Sequence, residues 1–170
     1  MAIEVHPFED FIPKNINYLL LGSFTAKDSR KGIEYDWYYS NGRNQFWNLI
    51  EKVYDTKLET IDSKVELFTN LGIGITDIIY KCNRTKNSSL DNALDIIEYN
   101  PRLEAIISRN LKSVFFSSRF VETQFKRNFS ELIDKYQKTK FIYLPSPSPR
   151  YAAMSKEEKV LKYKELLPKL

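Results

Sequence analysis

Cysteine and histidine are almost absent from this sequence. Its 170 residues include one cysteine, Cys82, and one histidine, His6. A single cysteine excludes an intramolecular disulfide and any zinc or iron–sulfur site with four cysteine ligands. A single histidine disfavours histidine-based triads and histidine-rich metal centres. We therefore expect other side chains to carry the chemistry.

Long apolar runs are also missing. No stretch approaches the roughly 18 consecutive apolar residues that span a bilayer. The first residues include Glu4, Glu9 and Asp10 rather than a basic region followed by an apolar one, which is the pattern of an export signal. These absences predict a soluble, cytoplasmic protein.

The overall composition is typical of one globular domain. Hydrophobic residues make up 42% of the chain and charged residues 28%, which disfavours disorder. A chain of this length can bury a core without disulfides, so we predict a single domain over residues 1–170. The net charge of +4 and the pI of about 9.0 permit a nucleic-acid partner but do not require one.

Strand and helix patterns alternate along the chain. Strands are predicted at residues 17–21, 74–79, 114–117 and 141–144. Helices are predicted after residue 45, from Ser63 to Gly72, from Ser88 or Ser89 through Ile97, from Pro101 to about Asn110, from Phe120 to about Tyr136, and after Ser155. Such alternation favours the α/β class, with a mostly parallel four-stranded sheet covered by helices on both faces.

Several helix boundaries carry capping signals. Ser63 with Glu66, and Ser155 with Glu158, have the spacing of a capping box. Gly72 stands where a C′ glycine ends a helix.

Two segments that follow predicted strands indicate a ligand site. Gly22, Ser23 and Phe24 follow the first strand, and the Pro-Ser-Pro-Ser-Pro-Arg segment at 145–150 follows the last. In an open α/β sheet, loops at the carboxyl edge line the ligand crevice. Gly22 permits close approach of a backbone, and the prolines hold serine hydroxyls on a stiff rim. This combination suits the backbone of a polyanion.

The predicted strand ends define a rim rich in hydroxyls and cations, at residues 22–27, 81–86, 117–119 and 145–150. Residues 38–47 lie between the first strand and the first helix and can fold over the same crevice. Their aromatic rings and amides are what base recognition needs, since each stacked base contributes roughly 1–3 kcal/mol.

The candidate side chains also have structural interpretations. Tyr38 and Tyr39 are more typical of loop packing, and the aromatic pair at 46–47 fits the core. Asn44 is more typical of a helix N-cap than of a catalyst. Asp77 lies within a predicted strand, where a buried carboxylate is either a ligand group or a structural acid.

In their order and spacing, these segments resemble the uracil-DNA glycosylase superfamily, closest to its hypoxanthine-DNA glycosylase-like and mismatch-specific branches. The motifs are Leu-Leu-Gly-Ser-Phe at 20–24, Tyr-Tyr at 38–39, Arg-Asn-Gln-Phe-Trp at 43–47, Gly-Ile-Gly-Ile-Thr-Asp-Ile at 72–78, Ser-Leu-Asp at 89–91 and Leu-Pro-Ser-Pro-Ser-Pro at 144–149. The resemblance spans most of the chain. It implies a three-layer α/β/α fold and a monofunctional DNA glycosylase of base excision repair, which would hydrolyse the bond to a deaminated base, hypoxanthine or uracil.

The resemblance also implies roles for particular residues. Asn44 matches the catalytic asparagine of the hypoxanthine branch, whose carboxamide would orient the attacking water. The base pocket would comprise Gly22, Ser23, Phe24, Tyr39 and Asp77. Contacts to DNA would come from Pro145, Ser146, Pro147, Ser148 and Arg150. We expect a monomer that acts on DNA with a deaminated or mismatched base, and no metal or organic cofactor is implied.

The chain departs from the pattern of these branches in places. Thr25 stands where the first motif continues with proline, and Asn41 and Gly42 stand where His-Pro is usual. Thr76 replaces a tryptophan, and Phe24 stands where some branches carry asparagine. The alternatives are a non-catalytic nucleic-acid-binding member of the superfamily, or a hydrolase or sensor of free nucleosides or nucleotides.

Overall fold

The computed structural model of the protein describes residues 3–25, 36–40, 44–84, 91 and 94–170. Its strands are β1 (Ile3–Val5), β2 (Tyr18–Gly22), β3 (Ile73–Asp77), β4 (Ile79–Arg84), β5 (Leu94–Tyr99), β6 (Ser113–Phe116) and β7 (Lys140–Tyr143). Its helices are α1 (Phe46–Tyr54), α2 (Ile61–Leu71), α3 (Leu103–Ile107), α4 (Arg119–Asn128), α5 (Ser130–Lys135) and α6 (Lys156–Leu166).

A four-stranded parallel sheet forms the centre of the molecule, with the strand order β3-β2-β6-β7. Strand β2 lies between two neighbours and its leucines are fully buried, as expected for an inner strand of a parallel sheet. In the register of β2 and β3, Gly22 lies beside Asp77 at the carboxyl edge. The predicted parallel four-stranded sheet is confirmed.

Helices cover both faces of this sheet. Leu20 belongs to a core that includes residues of α1, α2 and α6, whereas Leu19 and Leu21 belong to a core with residues of α3, α4 and α5. Successive strand residues point to opposite faces, so each face of β2 contributes to one core. The predicted three-layer α/β/α arrangement is therefore confirmed.

A second sheet, antiparallel and three-stranded, has the order β1-β4-β5 and was not predicted. The helix predicted from Ser88 or Ser89 through Ile97 is wrong where it can be compared, because residues 94–97 belong to β5. Burial alternates along β5 with the two-residue period of a strand, and the edge of its backbone that faces β4 is paired with that strand. Ser88 and Ser89 lie outside the described residues.

The strand predicted at 74–79 is two strands. β3 ends at Asp77, and β4 begins at Ile79 in the other sheet. The predicted rim segment 81–86 is therefore wrong, because residues 81–84 pair with β1 and β5. Residues 85–86, like Lys27, Asn41, Gly42 and Arg43, lie outside the described residues.

Several predicted helix boundaries differ from those in the structure. The capping box of α2 begins at Thr60, not Ser63, because the Thr60 hydroxyl accepts from the Ser63 N–H while the Ser63 hydroxyl accepts from the Thr60 N–H. The helix predicted from Phe120 to about Tyr136 is interrupted at Phe129, whose backbone is not helical. The helix predicted from Pro101 is shorter, spanning only α3.

The predicted N-cap of the last helix is confirmed, because the Ser155 hydroxyl accepts from the Glu158 N–H at 3.2 Å.

Within the described residues, no helix combines the length and the apolar character needed to cross a membrane.

The predicted C-cap at Gly72 is also confirmed, with a φ of 70°. We expect Gly72→Ala to destabilise the fold by about 1–2 kcal/mol, since an L side chain is strained there. A Cβ would also lie 3.1 Å from the Asn15 carbonyl oxygen. The free energy of unfolding in urea measures this effect.

Asp55→Gly is the matched control, because Asp55 has a φ of 49° at the C-cap of α1. Its effect should stay within about 0.5 kcal/mol. Equal stability of wild type and Gly72→Ala would contradict the proposed constraint.

Candidate active site

The carboxyl edge of the parallel sheet carries the candidate site. Gly22 ends β2 beside Asp77, which ends β3. A Cβ on Gly22 would lie 2.4 Å from Oδ1 of Asp77 and 2.6 Å from the hydroxyl of Tyr39. Glycine is required here because the two polar groups occupy the space that any side chain would fill.

The Asp77 side chain is only 4% exposed and is held through one of its oxygens. His6 Nε2 lies 2.6 Å from Asp77 Oδ2, and the Thr25 hydroxyl donates to the same oxygen at 2.9 Å. No described residue makes a hydrogen bond to the other oxygen, Oδ1, which faces Gly22. A buried carboxylate needs partners, and here they leave one oxygen available.

His6 is a member of the site that sequence reasoning missed. Its side chain is 6% exposed and packs against the rings of Phe24 and Tyr38, each with a centroid distance of 5.5 Å. Its Nδ1 lies 3.0 Å from the carbonyl oxygen of Phe8.

The surroundings of His6 favour its charged form. Burial lowers the pKa of the imidazole, but the hydrogen bond and the charge of Asp77, together with the Phe8 carbonyl, outweigh burial and raise it. In the charged form Nε2 donates to Asp77 and Nδ1 donates to the Phe8 carbonyl, whereas in the neutral form Nδ1 accepts from the Phe8 N–H at 3.2 Å. With His6 charged, the contact with Asp77 is a buried ion pair.

The adjacent tyrosines differ in role. Tyr38 is buried and donates to the Glu9 carbonyl at 3.0 Å, so the packing interpretation is confirmed for it. Tyr39 has a φ of 57°, and its ring centroid lies 4.4 Å from that of Phe46. Its buried hydroxyl makes no hydrogen bond of standard geometry to a described residue. Burial, and then the Asp77 carboxylate, raise the pKa of Tyr39, while the Ser117 side chain partly offsets them.

Asn44 lies at the start of α1. Its Oδ1 accepts from the Phe46 N–H at 2.8 Å, whereas the Gln45 side chain makes no capping bond. The capping interpretation of Asn44 is therefore supported, although Gln45 is the backbone N-cap. A carboxamide oxygen has a second lone pair, and no described residue binds the amide nitrogen, so capping leaves this side chain able to bind a further group.

A hydrogen bond joins the start of α1 to the proline–serine loop at 145–150. The Gln45 N–H donates to the Pro147 carbonyl at 3.1 Å, which ties the start of α1 to the loop at 145–150. Gln45 follows Asn44 directly, so this contact brings the asparagine beside the proline–serine loop.

Hydrogen bonds within the proline–serine loop, and one from α6, fix the conformation of this loop. The Ser146 hydroxyl accepts from the Ser148 N–H at 3.2 Å, and the Ser148 hydroxyl accepts from the Arg150 N–H at 3.3 Å. From α6, Tyr163 donates to the Pro145 carbonyl at 2.7 Å. The Arg150 side chain is exposed, and no contact in the described residues brings it to Gly22.

Ser23 and Phe24 follow Gly22 directly at the carboxyl end of β2. The Ser23 hydroxyl donates to Asp91 at 2.7 Å, and Phe24 is half-buried against His6. Burial raises the pKa of Asp91, the Ser23 hydrogen bond lowers it, and the Asp77 charge raises it further, so its pKa lies above the usual value.

Thr76, one of the departures from the family pattern, belongs to a separate polar network. Its hydroxyl donates to Asp10, and Asn100 Nδ2 donates to Thr76, to Asp10 and to the Asp77 carbonyl. Arg102 pairs with Asp10. This network fixes the amino-terminal segment against β3 and gives the buried Thr76 hydroxyl its partners.

No metal centre is evident in the part of the chain that the structure describes, since it holds no group of three or more acidic, histidine or cysteine side chains arranged around one ion.

By its fold, the chain is a three-layer α/β/α protein whose candidate site lies at the carboxyl edge of a parallel sheet. This chain is similar over nearly its whole length to a solved structure. That structure is the solution NMR structure of a protein from Methanosarcina acetivorans named a "putative Uracil DNA glycosylase". The TM-score is 0.70 at 22% sequence identity, covering 97% of this chain and 99% of that chain. At this identity the likeness shows a shared fold. No family model and no curated protein matches the sequence.

The ion pair makes stability depend on pH with a definite sign. Because the pKa of His6 is raised in the folded protein, its stabilisation is complete below the unfolded value of about 6.5. It is lost as the pH rises through the folded value. We expect His6→Gln, which keeps a neutral donor, to lose more stability at about pH 5.5 than at about pH 8.5.

Urea unfolding of wild type and His6→Gln at a series of pH values measures this difference. Its size should stay below the roughly 3–5 kcal/mol lost when a buried pair is broken outright. A difference that is the same at every pH would contradict a charged His6.

Proposed function

We propose that this protein is a monofunctional DNA glycosylase that hydrolyses the N-glycosidic bond of a deaminated base, hypoxanthine or uracil, flipped out of DNA. The observation that carries the proposal is a series of contacts that runs from the end of β2 to the loop at 145–150. Gly22 lies against Asp77 and Tyr39, the Tyr39 ring packs on Phe46, and the adjacent Gln45 donates to the Pro147 carbonyl. The sequence motifs and the similarity to the Methanosarcina acetivorans structure support it.

Hydrolysis of this bond places particular demands on the site. Positive charge develops on the sugar and negative charge on the departing base, so preorganised donors and a held water are needed. In our proposal the Asn44 carboxamide oxygen keeps its bond to the Phe46 N–H and accepts a second hydrogen bond from the attacking water. Backbone N–H groups near Gly22 and Ser23 bind a carbonyl oxygen of the base.

Asp77 favours deaminated bases for a simple chemical reason. Hypoxanthine and uracil carry a ring N–H, whereas adenine and cytosine present a bare ring nitrogen at the corresponding position. An ionised carboxylate only accepts hydrogen bonds. Oδ1 of Asp77 would therefore bind the ring N–H of a deaminated base and oppose the lone pair of adenine or cytosine, the bases from which hypoxanthine and uracil arise.

Base extrusion and DNA contact complete the proposal. Flipping costs a few kcal/mol and is easiest at a mismatch, where deaminated bases commonly lie. The half-buried ring of Phe24 packs against the flipped base. The hydroxyls of Ser146 and Ser148 and the exposed guanidinium of Arg150 bind the phosphates that flank it, on the rim formed with Pro145 and Pro147.

Asn44→Ser separates catalysis from capping. Serine keeps an acceptor oxygen for the Phe46 N–H but has no carboxamide. We expect base release from duplexes with hypoxanthine or uracil to fall about 100-fold or more, because the attacking water is no longer held. Single-turnover rates of free-base formation measure this effect, and the stability loss should not exceed about 1 kcal/mol.

Asn48→Ser is the matched control, since Asn48 is exposed on the same helix. It should release base at the wild-type rate. A wild-type rate for Asn44→Ser would overturn the role of Asn44, whereas DNA binding without base release by the wild-type protein would overturn the enzymatic proposal.

Arg150→Ala tests the DNA interface. Losing one phosphate contact should weaken binding several-fold, equally for different sequences, and reduce the slope of log affinity against log salt by about one. The control is Arg127→Ala, an exposed arginine in the last turn of α4. Fluorescence anisotropy over a range of salt concentrations measures DNA binding by both variants. An unchanged slope for Arg150→Ala would contradict a phosphate contact by Arg150.

A further inference from the structure

We propose that His6 is a positioning residue of the base pocket, acting through Asp77: it holds Oδ2 and neutralises the carboxylate, so that Oδ1 can face the departing base. This inference rests on the proposed glycosylase function. It assigns a role to a side chain to which the sequence motifs and the resemblance give none.

The geometry shows why His6 would act indirectly. Its side chain is 6% exposed, and its ring nitrogens already face Asp77 Oδ2 and the Phe8 carbonyl. No ring nitrogen remains for a substrate. Asp77, in contrast, keeps Oδ1 on the side of Gly22 and Tyr39.

Thr25 is part of the same arrangement. Its hydroxyl donates to Asp77 Oδ2, so His6 and Thr25 both hold one oxygen and fix the plane of the carboxylate. Thr25 also belongs to the loop after Gly22, where the family pattern continues with proline. Here a hydrogen bond to Asp77 replaces the rigidity that proline would give to that loop.

The charge of His6 matters because of the chemistry at the site. Negative charge develops on the departing base, and an uncompensated carboxylate beside it would oppose cleavage. An imidazolium makes the pair with Asp77 neutral overall while leaving Oδ1 an acceptor. Without the charge on His6, the transition state would lose stabilisation. This loss would lower kcat and leave KM nearly unchanged, since the charge on the base develops only in the transition state.

Other titratable groups face this pair. Asp10 acts on His6 and is itself paired with Arg102, and Asp91 acts on Asp77 from the Ser23 side. The phenols of Tyr38 and Tyr39 lie near Asp77, which raises the pKa of each beyond the effect of burial. Both tyrosines therefore stay neutral. Asp10 has its own cation in Arg102, whereas Asp91 adds a second carboxyl group near Asp77.

The first part of the test needs no activity. His6 is the sole histidine of the chain, so ¹⁵N NMR of untagged protein reports its imidazole without ambiguity. We expect both ring nitrogens protonated near neutral pH in wild type, and a fall in the His6 pKa in Asp77→Asn. A neutral His6 at pH 6, or an unchanged pKa in Asp77→Asn, would overturn the inference.

The second part compares the pH dependence of catalysis with this titration. Wild-type kcat for base release should fall as the pH rises through the His6 pKa measured by NMR. His6→Gln keeps a donor to Asp77 without the charge, so kcat should fall at least about tenfold with little change in KM. The variant should also lose that limb of the pH profile.

Tyr54→Phe is the control for a general effect on folding, because it removes a partly buried hydrogen bond to the Pro168 carbonyl, far along the chain from the site. It should leave kcat and its pH profile unchanged. If wild type releases base but His6→Gln matches its kcat and pH profile, the inference fails and the glycosylase proposal stands. If wild type releases no base, both fail.

Discussion

The hydrogen-bonded pair of His6 and Asp77 joins positions that are 71 residues apart and connects the amino-terminal segment to the end of β3. Both side chains are almost fully buried, so neither can be left without its partner at low cost. Thr25 binds the same carboxylate, which fixes the loop after β2 as well. The neighbouring Asp10–Asn100 contact extends this polar layer to the start of α3.

A missing side chain makes this arrangement possible. Gly22 gives up the space that Asp77 Oδ1 and the Tyr39 hydroxyl occupy, and the Tyr39 hydroxyl is buried with no hydrogen-bond partner among the described residues. Buried polar atoms in this condition are costly unless they serve a ligand. Tyr39 adds a left-handed backbone conformation, and such strain is typical of functional sites.

Local patterns predicted the parallel sheet and its helices, because their signals lie within a few residues. The buried runs of β2 and β6, the stripe of α1 and the caps at Gly72 and Ser155 are of this kind. The antiparallel sheet was missed because the six residues of β5 depend on pairing with β4, which no local pattern reveals.

The candidate site was predictable only in part, for the same reason. The motifs located Gly22, Asn44 and the loop at 145–150, but the link between Gln45 and Pro147 exists only in the folded chain. His6 had no pattern of its own. The available signal was Asp77, since a carboxylate among buried residues requires a cation or several donors from elsewhere in the chain.

The glycosylase activity is tested most directly by incubating wild-type protein with duplex and single-stranded DNA that carries hypoxanthine, uracil, xanthine or normal bases, and detecting free bases by mass spectrometry. A glycosylase for deaminated bases releases free hypoxanthine or uracil, leaves an abasic strand that breaks only after alkali, and releases no normal bases. Tight binding to these strands with no free base from any of them would contradict this activity.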